Sequence, residues 1–410
     1  MKKRILALIL FFLINISVGF GDTSDIYSDI TNIFSIFEDP NTGLTIFPTL
    51  LIPLGGRMEG MGTAYTAVAE DSGFIESNPA ASSILNFSEL SFLHHNWIAD
   101  SNIEGIIYTF RLNDLGIGFG GKFLYLPFTA FNSWGEEEST GYISESIGTF
   151  NISYNFFSNY YYSGLALGAN AKVAYRNIPE TIFEGQSIAT IMFDIGLLTR
   201  INLLKFYTSR TKNFSLGLAV KNLGIPSTLE PLPMVFTSGI SYSFINPVTI
   251  AVDFNLPFSF DPSNSPAEAW YIATGIDLNF AKFLSMQMGF RFKENPRVSL
   301  GCAIEMNDFS FIANYNLDLS GSLNPIDKFS IEAKIKFGYK KKIERQKQVD
   351  KLFADGLEEY AKGNVIQAIN YWEMALVLDP KFTLVREYIE TANLYLELQK
   401  QMEENKSMFE

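Results

Sequence analysis

The chain has 410 residues, of which 47% are hydrophobic and 15% aromatic, and its formal net charge is -13. This negative balance excludes the basic surface that a nucleic-acid partner requires. The 37 Phe and 19 Tyr favour strands over helices. High apolar content without a long apolar run after the first twenty residues is typical of a membrane β-barrel, although a soluble all-β protein has the same composition.

The first 21 residues have the pattern of a secretory signal peptide. Basic residues at 2–4 precede an apolar stretch at 5–18, and Gly19 and Gly21 place small residues where a signal peptidase reads the chain. Cleavage after Gly21 is expected, and a membrane anchor is the alternative. The single cysteine, Cys302, lies far from this site and allows neither a lipid anchor here nor an intrachain disulfide.

Residues 22–87 form an N-terminal segment with no continuous hydrophobic face. Its centre, 55–81, is rich in glycine, alanine and small polar residues and ends in Asn78-Pro79-Ala80. Glycine permits tight turns and close backbone approach, and Asn before Pro favours a turn or a helix start. From the residues alone, this stretch is either a packed segment or a simple linker.

Residues 88–339 alternate apolar and polar side chains with a period of two, which predicts strands with one apolar face. About 14 such segments are present, most of them long enough to cross a bilayer as tilted strands. The expected spans are 89–98, 103–112, 115–125, 147–157, 163–176, 188–199, 213–221, 236–245, 248–256, 269–280, 282–293, 297–305, 308–317 and 328–338.

The links between these segments differ in length on the two sides of the predicted barrel. Links after even strands are mostly short, such as Asn113-Asp114 and Asn246-Pro247, whereas links after odd strands are longer, such as 126–146 and 257–268. Short periplasmic turns and long outer loops are the pattern of outer-membrane barrels. An even strand count places both chain ends in the periplasm.

Residues 343–410 change to a helical pattern with apolar residues three and four apart. Three helices are expected, the second ending at Asp379-Pro380. Gly356, Tyr360, Gly363, Ala368, Ala375 and Pro380 fall at or near the characteristic positions of a tetratricopeptide repeat. The segment is therefore either a docking domain, with Tyr360 and Trp372 as candidate partner-binding residues, or a helical hairpin packed against the barrel or another copy.

The stretch at 55–81 also resembles the start of barrels similar to the long-chain fatty acid transporter FadL, and more closely the PorV-like barrels and a related uncharacterised spirochaete group. The resemblance rests on Gly60, Gly62, Ala64, Thr66, Ala67, Glu70, Asp71, Asn78, Pro79 and Ala80. It implies that this stretch is a plug inside the barrel lumen. Gly60, Gly62, Asn78, Pro79 and Ala80 are then the candidate plug and gating residues.

Other chemical signals are weak. His94 and His95 are adjacent on one strand and point to opposite faces, which disfavours a shared metal site. Glu136-Glu137-Glu138 fits an outer loop, and Asp253 and Asp277 fit polar lumen positions. Cys302 shares the apolar side with its neighbours and is expected to face lipid. We find no catalytic motif, and we predict no catalytic residue, no metal site and no cofactor.

The sequence thus predicts an all-β transmembrane barrel with an N-terminal plug and a small α-helical, tetratricopeptide-like domain. The leading hypothesis is an outer-membrane protein, not an enzyme, that binds or transports a hydrophobic small molecule such as a long-chain fatty acid. The alternative is a PorV-like platform that recruits a periplasmic or exported protein partner through a helical tail in the periplasm.

Overall fold

The structure is a computed structural model, and it describes residues 39–409 except 98–99, 181–184, 208, 210, 226–230, 263–265, 294–295, 307 and 320–327. The expected signal peptide at 1–21 and the first part of the N-terminal segment lie outside the described residues. The described chain consists of an N-terminal segment, a barrel and three C-terminal helices.

Fourteen antiparallel strands are present in the described part of the chain, and they close into a barrel in which β1 pairs with β14. The strands are β1 (Ser88–Asn96), β2 (Asn102–Leu112), β3 (Leu115–Phe131), β4 (Glu137–Phe156), β5 (Leu165–Asn177), β6 (Ile188–Ile201), β7 (Phe214–Gly224), β8 (Val235–Ile245), β9 (Val248–Pro257), β10 (Tyr271–Ala281), β11 (Leu284–Phe292), β12 (Arg297–Glu305), β13 (Phe309–Asp318) and β14 (Lys328–Phe337).

The predicted alternation separates an apolar exterior from a polar interior. In β4, Phe150 and Ile152 are 43% and 45% exposed on the outside, while Asn151 between them is fully buried inside. The same holds in β14, where Ile331 is exposed and Glu332 is buried. Successive strand residues point to opposite faces, so the barrel has the lipid-compatible surface and polar lumen that the period of two predicts.

One expected loop is wrong. The stretch at 126–146 is not an outer loop, because β3 continues to Phe131 and β4 begins at Glu137. The Asn132 side-chain oxygen accepts hydrogen bonds from the backbone of Trp134 and Glu136, at 2.9 and 3.0 Å, and closes a tight turn. Cross-strand pairing overrides the polar, glycine-containing composition that suggested a loop.

The links between strands lie at two opposite rims of the barrel, here called the turn rim and the loop rim. The turn rim carries the links 113–114, 157–164, 202–213, 246–247, 282–283 and 306–308, and the loop rim carries the links 97–101, 132–136, 178–187, 225–234, 258–270, 293–296 and 319–327. β1 starts and β14 ends at the turn rim, so the C-terminal helices also begin there.

The N-terminal segment runs through the lumen from one rim to the other. Residues 39–54, the entrance segment, lie at the loop rim, where the backbone N–H of Ile46 donates to the Pro231 carbonyl at 2.9 Å. Residues 55–85, the plug, fill the lumen and reach the turn rim, where Arg111 donates to the Leu85 carbonyl at 3.0 Å. The plug contains α1 (Gly56–Gly60), α2 (Phe74–Ser77) and a 3-10 helix (Pro79–Ile84). The linker alternative is therefore wrong.

The C-terminal unit, called the tail, consists of α3 (Tyr339–Ala361), α4 (Val365–Leu378) and α5 (Thr383–Phe409). Its core contains Trp372, Ala368, Ala375 and Phe382, all buried. The three helices agree with the sequence expectation, including the end of the second at Leu378, just before Asp379-Pro380. None of the described helices is long and apolar enough to cross a membrane.

Candidate functional site in the plugged lumen

The plug rests directly on glycines of the barrel wall. A Cβ added at Gly217 would lie 2.3 Å from the Thr66 carbonyl oxygen, and one at Gly168 would lie 2.2 Å from that of Pro79. Only glycine allows the plug backbone to approach the strands so closely. Plug atoms would also clash with a Cβ at Gly116, Gly196, Gly275 and Gly289. These glycines lie on six different strands, so the plug touches the wall around most of the lumen.

Wall carboxylates hold the plug at defined points. The Asp253 carboxylate accepts hydrogen bonds from the backbone N–H groups of Tyr65 and Thr66, at 3.0 and 2.9 Å. Arg57 in α1 forms an ion pair of 2.8 Å with Asp277. Both acids lie on the lumen side, as the sequence predicts, and both bind the plug.

A buried ion network joins the middle of the plug to β14. The Lys334 ammonium forms an ion pair with Asp71 of the plug and lies 3.2 Å from Glu332. Ser72 donates from its hydroxyl to Glu332 at 2.9 Å and from its backbone N–H to Glu89 at 3.2 Å. Removing one member of a buried pair leaves an uncompensated charge, so this network makes displacement of the plug costly.

The predicted plug residues lie on two separate parts of the wall. Gly60 and Gly62 contact β11 and β12, and Gly62 adopts a left-handed φ of +62°. Asn78, Pro79 and Ala80 contact β5 and β6, where the Asn78 amide donates to the Leu197 carbonyl at 3.0 Å. The Asn78 side chain also accepts from the Ala80 N–H at 3.1 Å and caps the 3-10 helix that begins at Pro79. These residues lie at the plug–wall contact, and their gating role stays a prediction.

A small cavity remains between the entrance segment and the wall. Its volume is about 80 Å³, well below the roughly 300–1,000 Å³ of typical ligand pockets. With the plug backbone seated on the wall glycines, we interpret this arrangement of the lumen as a closed state. The apolar lining includes Leu50, Ile52, Leu54, Ile107 and Ile147, and the charged lining comprises Glu76, Lys122, Lys172, Lys221 and Arg291.

Two of the four cations around the cavity are already neutralised. Lys122 pairs with Glu76 at 2.7 Å, which links the wall to the plug, and Lys172 pairs with Asp194 at 2.7 Å. These pairs bridge the wall and plug, or two strands of the wall, and they explain why buried lysines are tolerated here.

The other two cations have no carboxylate partner among the described residues. Lys221 has neither a hydrogen bond nor an ion pair there. Arg291 donates only to the Thr63 hydroxyl at 3.3 Å and lies 5.7 Å from the centre of the Tyr271 ring, while its Nε is buried without a partner. A half-buried cation without a counter-ion is costly, so the cavity lined by Lys221 and Arg291 can hold an anionic group beside an apolar one.

The tail is attached to the turn rim by polar and aromatic contacts. Lys381 pairs with Asp114 in the β2–β3 turn and lies 2.5 Å from the Ser158 hydroxyl. The rings of Phe382 and Tyr160 stack with centroids 5.0 Å apart. These contacts fix the start of α5 against two turns of the barrel.

The attachment of the tail lowers the pKa of the Asp114 carboxyl. Partial burial opposes its ionisation, but hydrogen bonds from Lys381 and Ser158 and the Lys381 charge outweigh that effect and hold the pKa of Asp114 below its ordinary value of 3.8. The attachment is therefore strongest when Asp114 is ionised.

Of the two residues predicted to bind a partner through the tail, Tyr360 is half-buried and Trp372 lies in the core. Trp372 is fully buried, donates from its ring nitrogen to the Phe353 carbonyl at 3.3 Å and stacks on Tyr360 at 5.6 Å. A Cβ at Gly356 would lie 2.3 Å from that nitrogen, so this glycine makes room for the indole. Their partner-binding role stays a prediction, and the exposed apolar residues of the tail are different ones.

The weak signals have structural explanations. His94 points outward, 2.8 Å from Glu104, and His95 points inward against the Pro53 carbonyl. The described residues contain no cluster of ligands that could hold a metal ion. Cys302 lies on the outer face beside Leu300, as expected from the alternation.

The fold and the filled lumen define a plugged 14-stranded β-barrel with a helical tail. Residues 27–340 match the Uncharacterised protein family (UPF0164), and the chain belongs to that family. A UPF0164 protein of Treponema pallidum (strain Nichols) is 27% identical over 395 residues, covering 89% of this chain and 87% of that protein. A second one is 24% identical and covers 86% and 76%, respectively.

Two solved structures with a similar barrel match this chain at low sequence identity. The CymD monoaromatic hydrocarbon channel is 12% identical with a TM-score of 0.49, over 70% of this chain and 98% of that one. The Pseudomonas putida toluene transporter TodX is 12% identical with a TM-score of 0.43, over 69% and 96%.

Proposed function

We propose that this protein is an outer-membrane barrel that binds and passes a hydrophobic or amphipathic small molecule, such as a long-chain fatty acid, through a lumen closed by its N-terminal segment. The apolar exterior and polar interior suit insertion in the outer membrane, with the turn rim and the tail in the periplasm. The observation that carries the proposal is the cavity beside the entrance segment, which combines aliphatic walls with Lys221 and Arg291, two cations that have no carboxylate partner among the described residues.

A ligand can enter only if part of the N-terminal segment moves. The plug at 55–85 is seated on wall glycines and held by buried ion pairs, so its displacement would break many contacts at once. The cavity borders residues 50–54 of the entrance segment as well as plug residues such as Met58 and Ile75, and the entrance segment is the part without seats on wall glycines such as Gly217 and Gly168. We therefore assign gating to the entrance segment and a permanent structural role to the plug.

Binding of a fluorescent fatty acid to the purified barrel tests this function. Lys221→Gln with Arg291→Gln should weaken binding by about tenfold or more, since both cations that face the cavity without a counter-ion are lost. The matched control is Lys362→Gln, an exposed tail lysine. Absence of any bound lipid in extracts of the native protein, together with unchanged binding in the double variant, would contradict the proposal.

The attachment of the tail to the turn rim favours a second candidate function, a platform for a periplasmic or exported protein. Lys381 and Phe382 hold the tail at a fixed place below the barrel, where a partner could be positioned. Deleting residues 343–410 separates the two functions. Loss of a partner with unchanged fatty acid binding supports the platform, and loss of fatty acid binding alone argues against it.

A further inference from the structure

The last helix of the tail presents an apolar face that the tail itself does not cover. Leu394, Leu398 and Met402 are 57%, 50% and 72% exposed. They are spaced by four along α5 and therefore lie on one side of the helix. Tyr395, exposed as well, borders the same side.

The outer face of α5 is not the polar face that normally ends an array of helical repeats. The opposite side of α5 carries Val385 and Ala392, both fully buried in the tail core. From 393 to 405 every side chain except Leu396 is exposed, and Leu396 alone in this stretch of the described chain packs against the tail core. A terminal helix that caps a repeat array carries a polar outer face, whereas this one carries large apolar residues.

An acidic row runs beside the apolar face. Glu390, Glu397 and Glu404 are exposed and spaced by seven, so they lie on one line along α5. Glu390 and Glu397 stand four and three residues from Leu394, which places the row at the edge of the apolar face. An antiparallel second copy of α5 would put two such rows opposite each other, and like charges at that position are repulsive.

We propose that this face of α5 docks an amphipathic helix of a partner protein that has an apolar stripe flanked by lysine or arginine. The apolar stripe would cover Leu394, Leu398 and Met402, and the basic flank would pair with the glutamate row. The inference rests on the platform function proposed above and is independent of any ligand in the lumen. It names a surface on α5 rather than the half-buried Tyr360 and the buried Trp372.

Two designed helical peptides with the same leucine stripe test it, one flanked by lysine and one by glutamate. The full-length barrel in nanodiscs should bind the lysine peptide, and the glutamate peptide at least about tenfold more weakly. The triple variant Glu390→Lys, Glu397→Lys, Glu404→Lys should reverse this preference. The matched control reverses three exposed carboxylates on α3 and α4, with Glu344→Lys, Glu358→Lys and Glu373→Lys, and should leave the preference unchanged.

The apolar contact is tested separately with Leu394→Ser, Leu398→Ser and Met402→Ser, which should abolish binding of either peptide while circular dichroism stays unchanged. Equal binding of both peptides, or none, overturns the proposal. So does sedimentation showing that these serine substitutions dissociate a dimer, because the occupant is then a second copy. A photo-crosslinker at Ile366 of α4 that captures the lysine peptide, with none captured at Leu398, overturns the α5 site and leaves the platform function standing.

Discussion

At the scale of single residues, the wall glycines determine how the lumen is filled. Gly217 and Gly168 bring the strands into contact with the plug backbone at Thr66 and Pro79, and no other residue would fit there. The close contact between wall and plug depends on these wall glycines as much as on the plug's own glycines. The plug is thus built into the wall rather than inserted as a separate stopper.

We expect Gly217→Ala to destabilise the folded barrel by about 1–3 kcal/mol. The added Cβ would lie only 2.3 Å from the Thr66 carbonyl oxygen and would overpack the contact. The measurement is the temperature at which the compact form converts to the unfolded form on a gel. Gly148→Ala is the control, since no atom lies within 4 Å of a Cβ on this outward-facing glycine. Equal behaviour of the two variants would show that the plug is not seated on the wall.

At the scale of elements, the sequence predicts the strands better than the links between them or the contacts of the plug inside the barrel. Alternation identifies all fourteen strands, and the bounds of all but β3 and β4 to within a few residues, because a membrane barrel enforces strict alternation. It misses the extension of β3 to Phe131 and the start of β4 at Glu137, where the hairpin leaves the membrane-length core and the apolar side is no longer required. The pattern shows inward glycines such as Gly116 but cannot show that plug backbone meets them.

The site is less predictable than the strands. The sequence identifies the plug and the lumen side of Asp253 and Asp277, because composition and strand face are local properties. It does not identify Lys221 and Arg291, since whether a cation meets a carboxylate depends on which distant residues pack around it. Trp372 is a candidate binding residue from the sequence but is fully buried in the structure, because the spacing of an aromatic residue in a helix does not distinguish core from surface.

The attachment of the tail is an element-scale property that should depend on pH. The folded pKa of Asp114 lies below its ordinary value of 3.8, so its contribution is fully present above that value and is lost as the pH falls through the lower, folded pKa. Lys381→Met should remove this dependence and increase the detached fraction by up to about fivefold, the range for an exposed ion pair.

Spin labels at Asn246→Cys and Gln399→Cys, in a Cys302→Ser background, give the distance between the turn rim and α5 that reports attachment. Lys362→Met serves as the control, because that lysine pairs only within the tail. A distance distribution that is identical in the Lys381→Met protein and independent of pH down to about 3 would exclude a role for this ion pair.

At the scale of the whole molecule, the filled lumen governs whether the barrel conducts ions. Barrels of 8 strands are filled by their own side chains, whereas those of about 16–18 strands leave an aqueous channel. A barrel of 14 strands is wide enough to need a plug, and here residues 55–85 fill the lumen beside a cavity of about 80 Å³ next to the entrance segment. The closed state should therefore exclude a steady ionic current.

We expect the full-length protein to show no stable conductance steps in a planar bilayer. Replacing residues 45–85 by a short glycine-serine linker should produce steady conductance, because the polar wall residues that bind the plug would then face water. Deleting residues 343–410 should leave the barrel closed, since the tail contacts the rim and not the plug's glycine seats. Equal conductance of the full-length protein and the variant that lacks residues 45–85 would contradict this. Neither the plug nor the entrance segment would then be the barrier to ions.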